Sequence, residues 1–193
     1  MKFHAEQAWV EGAWARDVLL EADAQGRWRS VQPGSPRPVG GVDVQVACAL
    51  PGLVNAHSHA FQRAMAGLAE HADGAQDDFW SWRERMYRVA LQIGPDELET
   101  VATWLYAELL RAGYTHVCEF HYLHRNLDGA PYSQATRMGD ALIAAAHRTG
   151  IGLTLLPVVY LRRGFASDSL TDMQRRFRCA PEEALAMAQA VRT

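Results

Sequence analysis

The chain has 193 residues, 49% of them apolar, and a formal net charge of −3. Length and composition suit one packed domain and exclude a disordered tail. The charge offers no basic surface for nucleic acid, the apolar runs are too short to span a membrane, and Met1-Lys2-Phe3-His4-Ala5-Glu6 lacks the apolar core of a signal peptide. Cys48, Cys118 and Cys179 are odd in number and far apart. They read as buried thiols of a reducing compartment, so a cytoplasmic protein is expected.

Residues 1–49 read as short strands and turns. Phe3 to Val10 breaks at Glu11-Gly12, and Trp14 to Leu20 breaks at Asp23-Ala24-Gln25-Gly26. A loop with Pro33, Gly34, Pro36, Pro38, Gly40 and Gly41 follows, and Val42 to Val46 alternates again. This predicts part of a small β domain with a boundary near Ala49. Within residues 50–193 the pattern changes. The run from Leu50 to Ala56 predicts a buried strand, and Phe79, Trp82, Met86 and Val89 share one helical face. Pro95, Asp96 and Glu97 open a second helix with a stripe of Leu98, Val101, Leu105 and Leu109, and Gly113 ends it. Thr115 to Phe120 predicts a strand. A helix carrying Met138, Leu142, Ala145 and Ala146 precedes Gly150, and Ile151 to Val159 is another strand. Pro181 opens a last helix running to the terminus.

Strand–helix alternation of this kind predicts an α/β fold with parallel βαβ units and right-handed crossovers. Ligands bind at the carboxyl ends of such strands. His57 and His59 lie after the first strand, His121 and Tyr122 after the second, and Tyr160 after the third. A strand sends alternate side chains to opposite faces, so His57 and His59 leave the same face, as half of a strand-borne metal site would. Imidazole suits zinc and similar borderline metals. The spacing alone is a weak signal, equally met by a surface pair. Its place at a strand end, ahead of Gln62 and Arg63, favours ligands.

The stretch Pro51-Gly52-Leu53-Val54-Asn55-Ala56-His57-Ser58-His59-Ala60-Phe61-Gln62-Arg63-Ala64-Met65-Ala66-Gly67-Leu68 resembles the first barrel strand and loop of the amidohydrolase superfamily. Phe79-Trp80-Ser81-Trp82-Arg83-Glu84-Arg85-Met86-Tyr87, Ala112 to Tyr122 and Gly150 to Val158 extend the likeness, which is strongest from Leu50 to Phe177. The resemblance implies the N-terminal part of a (β/α)₈ TIM barrel, incomplete, preceded by part of a small β-sandwich domain. It further implies a metal-dependent hydrolase of non-peptide C–N bonds. The segment is most similar to the deiminating members that convert N-formimidoyl-L-glutamate to N-formyl-L-glutamate and ammonia in histidine degradation.

By that resemblance His57 and His59 hold one zinc ion, and Gln62, Arg83 and Tyr122 bind substrate. Arg83 would clamp a substrate carboxylate, a task suited to a guanidinium fork; Arg85 is the fallback, and packing on Trp80 is the bland alternative. A whole barrel takes roughly 250 residues. The remaining ligands and the proton-transfer groups are therefore expected beyond Thr193, in a homodimeric full-length enzyme, with the present stretch inactive alone. Other readings are an aminohydrolase of the same superfamily acting on a purine, pyrimidine or guanidino compound, and a non-catalytic fragment. Glu119, inside a strand, is expected in a structural ion pair. His4, His71, His116 and His147 are expected as surface or satisfied core residues, and His124 and Arg125 sit in a loop where they could help electrostatically.

Overall fold

The computed structural model describes residues 1–68 and 78–191. His71 lies outside the described residues. Contacts divide the chain into two compact units, Met1–Gly52 and Leu53–Thr193.

The first unit is a four-stranded sheet built from β1 (Lys2–Val10), β2 (Ala13–Ala22), β3 (Trp28–Gln32) and β4 (Val44–Ala49), in the order β3-β2-β1-β4. The β1–β2 hairpin turns through Glu11 and Gly12, both with positive φ (49° and 84°), as a tight two-residue hairpin requires. β4 pairs parallel to β1, and β3 antiparallel to β2. Ala5, Ala8, Val18 and Leu20 form its buried cluster. β3 escapes sequence pattern because Trp28-Arg29-Ser30-Val31-Gln32 does not alternate, and as a short, largely exposed edge strand it has no buried face to specify. Cys48 is exposed and Cys118 half-buried, which corrects the expectation of three buried thiols; only Cys179 is buried. None of the three forms a disulfide.

The second unit carries a parallel sheet of β5 (Leu53–Ser58), β6 (Tyr114–His121) and β7 (Gly152–Pro157), in that order. A 3₁₀ turn (Ala60–Met65), α1 (Phe79–Ala90) and α2 (Pro95–Arg111) connect β5 to β6, and α3 (Arg137–Thr149) connects β6 to β7. A second 3₁₀ turn (Asp172–Phe177) and α4 (Pro181–Ala190) follow. Asp78 starts α1 by accepting from the Trp80 and Ser81 backbone N–H groups at 2.9 and 3.0 Å. Pro95 opens α2, where Glu97 accepts from the Gly94 N–H at 2.9 Å. Gly150 closes α3 in the left-handed region at φ 81°.

The core gathers Phe61, Met86, Tyr87, Leu98, Val117, Leu123, Met138, Leu142, Ile151 and Phe177. On α2 the fully buried stripe is Leu98, Ala102 and Tyr106; Val101 is only half-buried. Tyr106 pulls the face round by this one step, because its hydroxyl reaches Glu119 on β6. Among the described residues no helix is long and apolar enough to cross a membrane.

Candidate metal and substrate site

His57 is the last residue but one of β5 and His59 stands just beyond the strand, and their rings meet edge to face with Nε2 atoms 2.9 Å apart. His59 Nδ1 lies 2.9 Å from the Phe120 carbonyl oxygen on the neighbouring strand. A carbonyl only accepts, so Nδ1 carries the proton and the Nε2 lone pair faces His57. That is how an outer partner prepares a metal-ligating histidine. Burial, with the nearby His57 as a smaller cause, holds the His59 ring below its usual pKa against the pull of the Phe120 bond. The neutral form is the one a metal needs. Zinc–imidazole bonds of about 2.0–2.1 Å put two ligand nitrogens roughly 3.3 Å apart on a tetrahedral ion, close to the spacing here. The donor pair fits a divalent metal. Among the described residues no cluster of three His, Cys, Asp or Glu side chains is placed to hold one.

The loop after the histidines is rigidly built. Phe61 and Met65 are buried, and Arg63 binds Glu108 on α2 through two bonds of 2.8 and 3.0 Å. Between them Gln62 donates from Nε2 to the Tyr122 hydroxyl at 2.8 Å. The Tyr122 ring lies 4.9 Å from the His59 ring and 5.3 Å from Phe61. Phe120, two residues earlier, flanks both histidines at 5.2 and 5.4 Å. His121 points away, buried beside His124 with ring centroids 4.9 Å apart, as strand alternation requires once Tyr122 faces the site. Burial raises the Tyr122 phenol well above its ordinary pKa, so it stays protonated.

Arg83 is not in direct contact with this group. Its Cζ lies 4.3 Å from the Trp80 ring centroid and 5.6 Å from that of Tyr87. The link to the histidines runs through aromatic rings. Tyr160 stacks on Tyr122 at 6.2 Å, and burial together with Tyr87 pushes its phenol up to about 12, with Arg83 pulling the other way. Gln62, Tyr122 and the histidines are therefore brought together, and Arg83 stands at the far side of a tyrosine cluster.

Glu119 corrects the expected ion pair. It is 2% exposed, and its Oε1 accepts from the Ala60 N–H at 2.5 Å while Tyr106 donates to Oε2 at 3.4 Å. The Ser58 side chain also bonds to it, and burial raises its carboxyl pKa. Its described partners are neutral, and they hold the backbone on both sides of His59. Arg125 is committed to Glu183 and the Arg178 carbonyl, and His124 Nε2 to the Val158 carbonyl at 3.0 Å, so both serve the loop's structure. His4 is buried against the Ser35 carbonyl, His116 bonds Thr154, and His147 is exposed. Sequence pattern missed Phe120 and Tyr87; a charged residue in an apolar strand was the one signal available, for Glu119. The groove of about 550 Å³ lined by Arg63, Val101 and Trp104 shares no residue with the histidine pair.

Comparison with known proteins fits this arrangement. The model of the amidohydrolase family matches residues 48–192. The chain is 44% identical over 188 residues to a formimidoylglutamate deiminase of Pseudomonas aeruginosa, covering 97% of this chain and 41% of that protein. The crystal structure of an amidohydrolase from Brucella melitensis superposes with a TM-score of 0.90 at 42% identity, over 99% of this chain and 42% of that one. The zinc complex of the atrazine chlorohydrolase TrzN from Arthrobacter aurescens TC1 shares the fold at 20% identity and a TM-score of 0.69, over 98% and 42%. The chain thus spans about two-fifths of the length of these proteins, and its parallel strands and helices are part of an α/β barrel of this family. With a family match over three-quarters of its length, the chain belongs to the amidohydrolase family.

Proposed function

We propose that this chain supplies the first metal ligands and part of the substrate pocket of a hydrolase that converts N-formimidoyl-L-glutamate and water to N-formyl-L-glutamate and ammonia. The observation that carries the reading is the His57–His59 pair, Nε2 to Nε2 at 2.9 Å, with the His59 tautomer set by Phe120 and Gln62–Tyr122 alongside. The identity to the deiminase supports the substrate, and the zinc in TrzN supports the metal.

His57 and His59 would hold the metal through Nε2. When bound, a divalent ion of this kind lowers the pKa of water toward about 7 and so supplies a nucleophile at neutral pH. In the net step a C–O bond forms at the formimino carbon, the C–N bond to the terminal nitrogen breaks, and that nitrogen leaves as ammonia. Tyr122 accepts from Gln62, which leaves its own proton to donate to a substrate oxygen. Burial keeps that proton on the phenol throughout the neutral range. Arg83, held over Trp80, offers its guanidinium to a substrate carboxylate. The unpaired thiols agree with a cytoplasmic setting.

The test uses the full-length enzyme that contains this chain. Ammonia release is followed with N-formimidoyl-L-glutamate as substrate, and metal is measured by elemental analysis. Release that disappears with chelation and returns with zinc is expected. A metal-loaded enzyme that releases no ammonia from this substrate overturns the reading.

A further inference from the structure

Gln174 sits on the second 3₁₀ turn and is 1% exposed. Its Nε2 donates to the Tyr87 hydroxyl at 2.9 Å and to the Tyr160 hydroxyl at 3.1 Å. Its Oε1 accepts from the Thr171 backbone N–H and hydroxyl, each at 3.1 Å. Both donors and both lone pairs are used, so the amide has one orientation. The two phenols it holds belong to different branches of the site. Tyr87 lies on α1 one turn after Arg83, whose guanidinium carbon is 5.6 Å from its ring. Tyr160 follows β7 and stacks on Tyr122, the partner of Gln62. Phe177, three residues after Gln174, packs on all three rings at 5.1 to 5.6 Å.

Packing alone does not call for an amide here. A leucine would fill a site walled by aromatic rings without the cost of burying a polar group. What the amide adds is direction: a fully satisfied buried network fixes its members relative to one another. We propose that Gln174 is a positioning residue that sets the separation between Arg83 and the Gln62–Tyr122 pair, and through it the enzyme's affinity for substrate. This rests on the substrate reading above, in which Arg83 and Tyr122 grip the same molecule. Gln174 bonds neither Gln62, Arg83 nor Tyr122, so it acts through Tyr87 and Tyr160.

The experiment compares wild-type full-length enzyme with Gln174→Leu, Tyr160→Phe and the double variant, using N-formimidoyl-L-glutamate. Expected for Gln174→Leu is a KM raised about tenfold, the loss of roughly one hydrogen bond's worth of binding, with kcat within about threefold and metal content unchanged. Tyr160→Phe raises KM in the same direction, and the double variant rises no further than Gln174→Leu, because both act through one link. A merely structural role would lower the melting temperature and the active fraction and leave KM in place. An unchanged KM in folded Gln174→Leu, or a multiplied effect in the double variant, overturns the proposal. If Gln174→Leu does not fold, Tyr160→Phe decides alone, an unchanged KM again overturning it. Wild-type enzyme that releases no ammonia overturns the substrate reading itself, whereas wild-type turnover with unmoved variants overturns only the role of Gln174.

Discussion

The Phe120 carbonyl governs His59 through a single bond, which keeps the proton on Nδ1 and leaves the Nε2 lone pair for a metal in the proposed site. His57→Ala and His59→Ala should each cost the enzyme most of its bound metal, more than the roughly 10–100-fold affinity loss typical of an outer partner. Elemental analysis reads this, and normal metal in both variants would remove the pair from the site. Arg83 has a different signature. Losing a charge-assisted contact costs on the order of 1.5–3 kcal/mol, so Arg83→Met should lose about 10- to 100-fold in kcat/KM while keeping its metal. Wild-type kinetics in that variant would leave Arg83 as a residue packed on Trp80. Glu119 is a third case, a buried carboxyl without a described cation. Glu119→Leu strands the Ala60 N–H, so about 1–3 kcal/mol of stability should go with it. Glu119→Gln, which keeps an acceptor, should recover much of that loss in urea titrations.

Arg176 plays at the scale of elements the part that Glu119 plays at the histidines. It is fully buried on the second 3₁₀ turn, bonds the Ala90 carbonyl at the end of α1, and donates to the Ile93 carbonyl at 2.6 Å and the Arg125 carbonyl at 2.9 Å. A cation at a helix C-terminus also answers the helix dipole. One side chain therefore fixes the end of α1, the entry to α2 and the loop after β6. Arg176→Met keeps the bulk and abandons these carbonyls, and should destabilise by about 3 kcal/mol, read as a lower urea midpoint at constant slope. An unchanged midpoint would mean that water replaces the guanidinium without cost. The helices themselves were legible beforehand from Pro95, Gly113 and Gly150, because starts and stops are local chemistry. The exact buried stripe of α2 was not, because Tyr106 turns inward to a partner on another element.

For the molecule as a whole, acid is the informative stress. Burial, reinforced by the proximity of His124 and Arg176, holds His121 well below its ordinary pKa, and burial with a smaller push from Arg125 lowers His124 to about 4. The Val158 bond and Glu183 oppose the His124 shift without cancelling it. Unfolded histidine titrates near 6.5. Between about pH 6.5 and 4 the unfolded chain thus binds more protons than the folded one. Stability is full above 6.5 and falls as pH drops through that window, by on the order of 3 kcal/mol for His124. Melting temperatures at pH 7.5 and 4.5 should show the loss, and His124→Gln, which can still donate to Val158, should show less of it. Equal slopes in both proteins would rule His124 out as the cause.

The sequence by itself determined the parallel α/β order, the Pro95 and Pro181 helix starts and the Gly113 and Gly150 stops, and the placing of His57, His59 and Tyr122 at strand ends, although the last helix ends at Ala190 and not at the terminus. Each of these follows from periodicity or from turn chemistry that acts over a few residues. Tertiary structure alone decided that Glu119 binds neutral partners, that Phe120 sets the His59 tautomer, and that Gln174 joins Tyr87 to Tyr160. These contacts link residues from thirteen to more than eighty positions apart. No local pattern encodes such a separation; only the packing of β5, β6, α1 and the second 3₁₀ turn brings the atoms within bonding distance.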